Sequence, residues 1–258
     1  MIDGGLGGDL PHLIELLKQI TKKEVPVVDA WLFTHLHEDH YGALYRFFRQ
    51  EEWHGKLCIK HFYHHLLPDE YYTSLSKEAN PENQAILDAF HTAPETLGLT
   101  MHTVEEGDVI SLDELSFHVL HVPDLSVPTM NINNSSVIYR MDHESGQRFL
   151  LLADGEWVVD HALMALPEEE LKADVVQVGH HGVGNVSRAC YDRIGGKVFI
   201  YQACPRFWYS DKGEGLGSHM IGMEKNRFWL LDNGAKRENI YPNHKGIVAL
   251  PLPFPVKN

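Results

Sequence analysis

Cysteine is scarce in this chain of 258 residues, with only Cys58, Cys190 and Cys204. They are far apart, odd in number and form no CxxC pair. That pattern implies neither a disulfide framework nor a thiolate zinc site, and leaves buried or idle thiols as the expectation. Long apolar runs are also lacking. None approaches the ~18 residues that cross a bilayer, so no membrane span is expected. Positive charge is in deficit, 22 Lys and Arg against 36 Asp and Glu, for a net charge of −14. With no basic run and no aromatic–basic interleaving, tight nonspecific binding to nucleic acid or anionic lipid is disfavoured. A small anionic substrate is not, because bound divalent cations reverse the field locally. The start, Met1-Ile2-Asp3-Gly4-Gly5, reads as the end of a buried strand and a tight turn without a cleavable leader, and the default expectation is a cytoplasmic chain.

What the chain has in quantity is histidine, 18 in all, and three of them fall in one stretch. Residues 34–42 read Thr-His-Leu-His-Glu-Asp-His-Tyr-Gly, placing His35, His37, His40, Glu38 and Asp39 within six positions. Mostly apolar residues precede it, and an apolar helical pattern follows Gly42. A strand that ends in a polar turn and enters a helix is how α/β sheets present chemistry at the carboxyl ends of their strands. Imidazole and carboxylate at this density suit Zn²⁺, Fe or Mn²⁺. The plainer alternative is a polar loop that is His-rich by chance. Order argues against it, because His35 and His37 alternate on an extended segment, whereas Asp39 and His40 fall where the chain turns.

The remaining pattern predicts one α/β domain over 1–258. Asp9 and Pro11 open a helix whose apolar face is Leu13, Ile14, Leu16, Leu17 and Ile20. Strands are expected at 27–33 and 56–61, with helices at 41–50 and 82–91. The second helix lies in an otherwise irregular segment, 64–98, rich in Tyr, Pro and Glu and expected to lie over the metal edge or form a lid. Strands follow at 115–122, 135–141 and 148–153, with a hairpin turn at 144–147. Then come a helix near 160–166, strands at 174–178 and 197–203, a helix at 220–233 and a last strand at 246–250.

Two of these strands end in further ligand types. Residues 149–153 are apolar and run into Asp154-Gly155-Glu156. A carboxylate there can bridge two cations through its two oxygens; a turn Asp before Gly is the ordinary alternative. Glu156 reads as a group behind the ligands or a solvated one. Residues 174–178 run into Gly179-His180-His181-Gly182. The two imidazoles cannot point the same way if the strand extends through them, so one is expected to complete a metal site and the other to hold it or face substrate.

Taken together, these residues resemble the metallo-β-lactamase superfamily, whose hallmark is H-x-H-x-D-H and whose fold is an αββα four-layer sandwich. The resemblance implies that His35 and His37 bind a first metal, and Asp39 and His40 a second. Asp154, at a place matching the family's Gly-Asp turn, would bridge them. The HHG turn looks like that of the hydrolase domain of bacterial competence (ComEC-type) proteins, with His181 the preferred ligand over His180. Asn133 and Asn134 stand where related enzymes place a metal-binding His, and are expected beside metal or substrate. His121 reads as structural. The turn at Asp3-Gly4-Gly5 resembles one that follows two strands in the family; those strands have no counterpart here. Leu216-Gly-Ser-His219-Met resembles a "gHP" element, so His219 would protonate a leaving group, the alternative being a helix cap at Ser218. The implied activity is metal-dependent hydrolysis of a phosphodiester or other phosphate ester by a water acidified at two zinc ions, with Mn or Fe as alternatives and Asp39 and His219 as catalytic groups. The rival reading is a metal-poor module of the same fold kept for binding or regulation.

Overall fold

Burial deepens along Val27–Leu32 (β1), where Ala30, Trp31 and Leu32 are all buried, as in a strand covered by apolar neighbours. The computed structural model describes residues 1–74, 81–127, 131–183, 186–209 and 223–255. β1 pairs in parallel with Cys58–His64 (β2), which pairs in parallel with Thr100–Thr103 (β3), in the order β1-β2-β3. Four helices accompany this sheet: Leu10–Thr21 (α1), Glu38–Arg49 (α2), Asp69–Ser74 (α3) and Pro81–Leu97 (α4). They belong to a first compact unit, residues 1–104 with 123–137. Its core is aromatic. Phe33, Phe62 and Phe90 meet with ring centroids 5.5–6.1 Å apart, and Trp31, Leu44, Phe47 and Leu87 are buried around them.

Two expectations change here. The helix foreseen over 41–50 begins at Glu38. His37 is extended, at φ −105° and ψ 149°, and Glu38 and Asp39 occupy the first turn, where acidic side chains meet the positive end of the helix dipole. Segment 64–98 is also more regular than expected. It contains α3 and the whole of α4, and Ile86, Leu87, Ala89, Phe90 and Ala93 of α4 belong to the core, because a helical apolar stripe extends past His91.

The second unit comprises residues 105–122 and 138–258. Its seven strands are Val109–Leu112 (β4), Leu115–His121 (β5), Ile138–His143 (β6), Arg148–Leu151 (β7), Val175–Gln177 (β8), Val198–Tyr201 (β9) and Ile240–Pro242 (β10). They lie in the order β10-β9-β8-β7-β6-β5-β4. β4 to β7 form an antiparallel meander whose last turn is the hairpin at 144–147. From β7 to β10 every pairing is parallel, and helices fill the crossovers as parallel pairing requires. These are Trp157–Ala165 (α5), Glu168–Leu171 (α6), Arg188–Ile194 (α7), Pro205–Trp208 (α8) and Met223–Asp232 (α9). All three residues of β8 are buried, as its Val-rich sequence predicts for a central parallel strand. The last strand is β10, not 246–250. Gly246 has φ +119° and Ile247 is 63% exposed, so that stretch offers no buried alternating face.

Arginines tie the crossover helices down. Arg193 donates to Met164 O (2.6 Å) and Leu166 O (2.8 Å) at the end of α5. Buried Arg140 holds Asp142 with two hydrogen bonds (2.7 and 3.0 Å) and Glu170 O with a third (2.8 Å). Carbonyls left over at helix ends thereby gain charged donors. Among the described residues, no helix is long and apolar enough to cross a membrane.

One glycine positions the histidine-rich turn. A Cβ at Gly42, on α2, would meet Gly7 N at 2.5 Å and Leu6 C at 2.9 Å. Both are backbone atoms, which cannot rotate away. Gly42→Ala is expected to lower unfolding stability by about 1–3 kcal/mol through overpacking. Gly8→Ala, with no atom within 4 Å of its Cβ, should stay within about 0.5 kcal/mol of wild type. Urea midpoints of the two variants check this.

Candidate metal centre

The first candidate ligand set sits where β1 gives way to α2. His35, 2% exposed, and His37 lie on the extended link, and buried His40 lies on the first turn of α2. The rings crowd together: His35 is 4.2 Å from His40 and 5.0 Å from His37 between centroids. His35 Nε2 lies 3.2 Å from His37 Nδ1. Asp39 Oδ1 lies 4.0 Å from His40 Nε2, and the Asp39 carboxylate is half exposed.

A chain of donors behind the rings fixes which nitrogens face forward. Asp3, at φ +46°, a conformation that Asp tolerates better than most residues, turns its carboxylate toward the strand end. It accepts from Thr34 N (3.0 Å), Thr34 Oγ1 (2.8 Å) and His40 Nδ1 (2.8 Å). The Thr34 hydroxyl gives its proton to Asp3, so at 3.0 Å from His35 Nδ1 it accepts. His35 and His40 therefore carry their protons on Nδ1 and present the Nε2 lone pair. A carboxylate or hydroxyl behind each ligand imidazole is the usual setting of a metal-binding His.

The second set belongs to the parallel half of the seven-stranded sheet. Asp154 is 2% exposed and follows β7 through a turn in which Ala153 has φ +46°. His180 and His181 follow β8, both left-handed at φ +43° and +55°. The condition for the two rings to diverge, a strand that extends through them, is not met. β8 has ended at Gln177, and successive left-handed residues bring both Nε2 atoms toward one carboxylate, 3.9 and 3.4 Å from Asp154 Oδ2. His181 Nδ1 donates to Gln202 O (2.7 Å), leaving the Nε2 lone pair forward as in the first set. His180 Nδ1 lies 3.0 Å from Glu156 Oε1, so Glu156 stands behind an imidazole and is not solvated.

Other predicted residues fall differently. Asn133 and Asn134 are buried in a single turn, Ile132–Ser135. Val137 N, just beyond it, donates to Thr34 O (3.1 Å), docking the segment at the strand end beside His35. Both Asn134 N and Nδ2 donate to Asn131 Oδ1 (3.2 Å each), which gives this side chain work within its own turn. His121 is buried at the end of β5. His219 lies outside the described residues. His64, which no motif includes, is a structural histidine: burial pushes it down to about 4, and its Nδ1 accepts from Leu66 N (3.1 Å).

Sequence reasoning missed the groups behind the rings. Asp3 had a signal, since an Asp before Gly-Gly at a strand end is poised to turn back. Thr34 gave only a weak one. Gln202 gave none, because it acts through a backbone carbonyl that any residue supplies.

The donor set fits a divalent metal. It consists of imidazoles, three of them with Nδ1 engaged behind the ring, and carboxylates, with no thiolate. A model of the metallo-beta-lactamase superfamily matches residues 1–180, and the chain belongs to that superfamily. The fold class expected from the sequence, α/β of the metallo-β-lactamase kind, is the one found. The chain is 29% identical over 192 residues to ComE operon protein 3 of Bacillus subtilis (strain 168), a match covering 74% of this chain and 21% of that protein. The chain thus spans about a fifth of that relative's length. Solved structures similar to it include the metallo-beta-lactamase fold protein YhfI from Bacillus subtilis (11% identity, TM-score 0.45, 77% of this chain and 70% of that one). A putative metal-dependent hydrolase from Parabacteroides distasonis matches at 13% and 0.45, over 87% and 79%. CmlA, a diiron beta-hydroxylase from Streptomyces venezuelae, matches at 12% and 0.48, over 86% and 44%.

Replacing Asp3 by Asn keeps the shape but removes the charge that holds His40 and Thr34. Zinc affinity, measured by competition with a chelating dye, should fall about 10–100-fold while the circular dichroism spectrum is unchanged. Asp9→Asn, whose carboxylate only accepts from Leu6 N, should leave affinity at the wild-type value.

Proposed function

We propose that this chain is a metal-dependent hydrolase of phosphodiesters or related phosphate esters. The observation that carries the reading is the set of locked tautomers, with Nδ1 of His35, His40 and His181 each engaged behind the ring. An imidazole held that way is prepared to give its Nε2 lone pair to a cation. His35, His37, Asp39, His40, Asp154, His181 and His180 are the proposed ligands, and the resemblance assigns them to one pair of ions. Zinc is the proposed metal, with Mn and Fe as substitutes. When bound, such a cation lowers the pKa of water toward ~7 and offsets charge on a phosphoryl oxygen.

The chain's own residues supply the rest. Asp3 and Thr34 hold two imidazoles in register, the Gln202 carbonyl holds a third, and Glu156 stands 3.0 Å from Nδ1 of His180. The Asp39 carboxylate, half exposed, is proposed to accept a proton from an attacking water. His219 is proposed to return one to the leaving oxygen. The net charge of −14 favours a small anionic ester over a polynucleotide, since long-range repulsion grows with the number of phosphates. Buried Asn133 and Asn134, at positions where the resemblance implies a metal-binding His, favour a second reading, a metal-poor binding module.

Metal content decides between the two. Native protein is expected to hold about two divalent ions per chain and to hydrolyse bis(p-nitrophenyl) phosphate. EDTA should abolish that activity, and Zn²⁺ or Mn²⁺ should restore it. Asp39→Ala should lower kcat by about 100-fold or more. Fewer than about one ion per chain, with no hydrolysis even when Zn²⁺ or Mn²⁺ is added, would favour the module; activity that EDTA leaves intact would overturn the metal-dependent reading.

A further inference from the structure

The parallel half of the seven-stranded sheet places more than metal ligands at its carboxyl edge. Leu151 of β7, Gln177 of β8, Ile200 of β9 and Tyr241 of β10 are registered with one another in a single row. Strands leaving that row in the same direction deliver their next residues to the same edge. Beyond Leu151 comes Asp154, beyond Gln177 come His180 and His181, beyond Ile200 comes Gln202, and beyond Tyr241 comes His244. With neighbouring strands ~4.8 Å apart, the end of β10 lies about 10 Å from that of β8 and about 14 Å from that of β7.

An aromatic group is built at that outer end. Trp208, on α8 immediately after β9, stands against buried Tyr201 at 5.3 Å between centroids. The Arg227 guanidinium lies 4.5 Å over the Trp208 ring. His244 fits between Trp208 (5.3 Å) and Tyr209 (4.7 Å), and its Nε2 shares a 2.8 Å hydrogen bond with the Tyr209 hydroxyl. The result is an anchored but open ring: Tyr209 is 47% exposed, yet its hydroxyl is fixed from behind. An exposed, anchored tyrosine in a cluster whose Trp208 ring carries the Arg227 guanidinium suits a planar ring carried near a phosphate.

We infer that Tyr209, positioned by His244, is a specificity-determining platform that stacks a planar ring of the substrate at the same sheet edge as the residues following β8. The inference rests on the hydrolase reading for the word substrate, but ring binding is measured apart from hydrolysis. Equilibrium dialysis of zinc-loaded protein would compare thymidine 5′-monophosphate with 2-deoxyribose 5-phosphate, which share the phosphate and differ by the ring. Wild type is expected to bind the nucleotide about tenfold more tightly. Tyr209→Ala should abolish that difference, Tyr209→Phe should keep most of it, and His244→Gln should reduce it. Wild type without a ring preference, or Tyr209→Ala with an undiminished one, would overturn the platform. Failure of the wild type to hydrolyse bis(p-nitrophenyl) phosphate would sink the hydrolase reading, while the ring preference would still be scored by dialysis.

Discussion

The Asp3 carboxylate is the interaction on which the histidine-rich turn depends. The stretch beside β1 is tied to it by backbone bonds, Asp3 N to Leu32 O (3.0 Å), and to α2 by Gly4 N to His40 O (2.9 Å) and Ala43 N to Gly5 O (3.0 Å). Within that frame the carboxylate accepts three hydrogen bonds from two residues that are six positions apart in sequence. A loop of ligands without such a hub would lose more conformational freedom on binding metal, and its affinity would suffer accordingly. Gly42 serves the same end by allowing α2 to reach van der Waals contact with the backbone of Leu6 and Gly7. Two features far from one another in chemistry, a charge and a missing side chain, thus set one geometry.

The second unit reaches a similar result by other means. Its antiparallel strands, β4 to β7, carry arginine clamps and a hairpin, and they contribute stability more than chemistry. Its parallel strands end in turns that need unusual backbone, with left-handed Ala153, His180 and His181. Non-glycine residues in that region cost free energy, and such strain gathers where function requires a particular direction of side chains. Buried Asp154 accounts for the direction here. It draws both imidazoles toward one carboxylate, which no extended strand would allow.

Much of this was legible in the sequence, for reasons that differ by residue. The H-x-H-x-D-H stretch announced itself because ligand chemistry needs side chains of rare type at close spacing. β8 was readable because a central parallel strand must be apolar on both faces. The start of α2 was misplaced by three residues because polar ligand residues mask a helix whose first turn is acidic. The hairpin after β4 and the short strand β3 escaped notice, since strands of four residues present too few alternations to stand out. Gln202 was invisible in principle, its part being played by a carbonyl.

The residues hardest to read were those that support others, and the order in which they become visible follows their physics. A metal ligand is constrained by element type, so its identity survives in the sequence as a signal. A residue that fixes a tautomer is constrained only by position, so Asp, Thr, Glu and a bare carbonyl all serve here. The same holds at the outer edge, where Tyr209 and His244 lie 35 positions apart and no motif links them. What links them is the register of β9 with β10, which sets Pro242 beside Tyr201 and so delivers His244 to a ring that follows the neighbouring strand. In a parallel sheet, side chains remote in sequence meet because their strands end together, and a reading of the chain residue by residue has no access to that ordering.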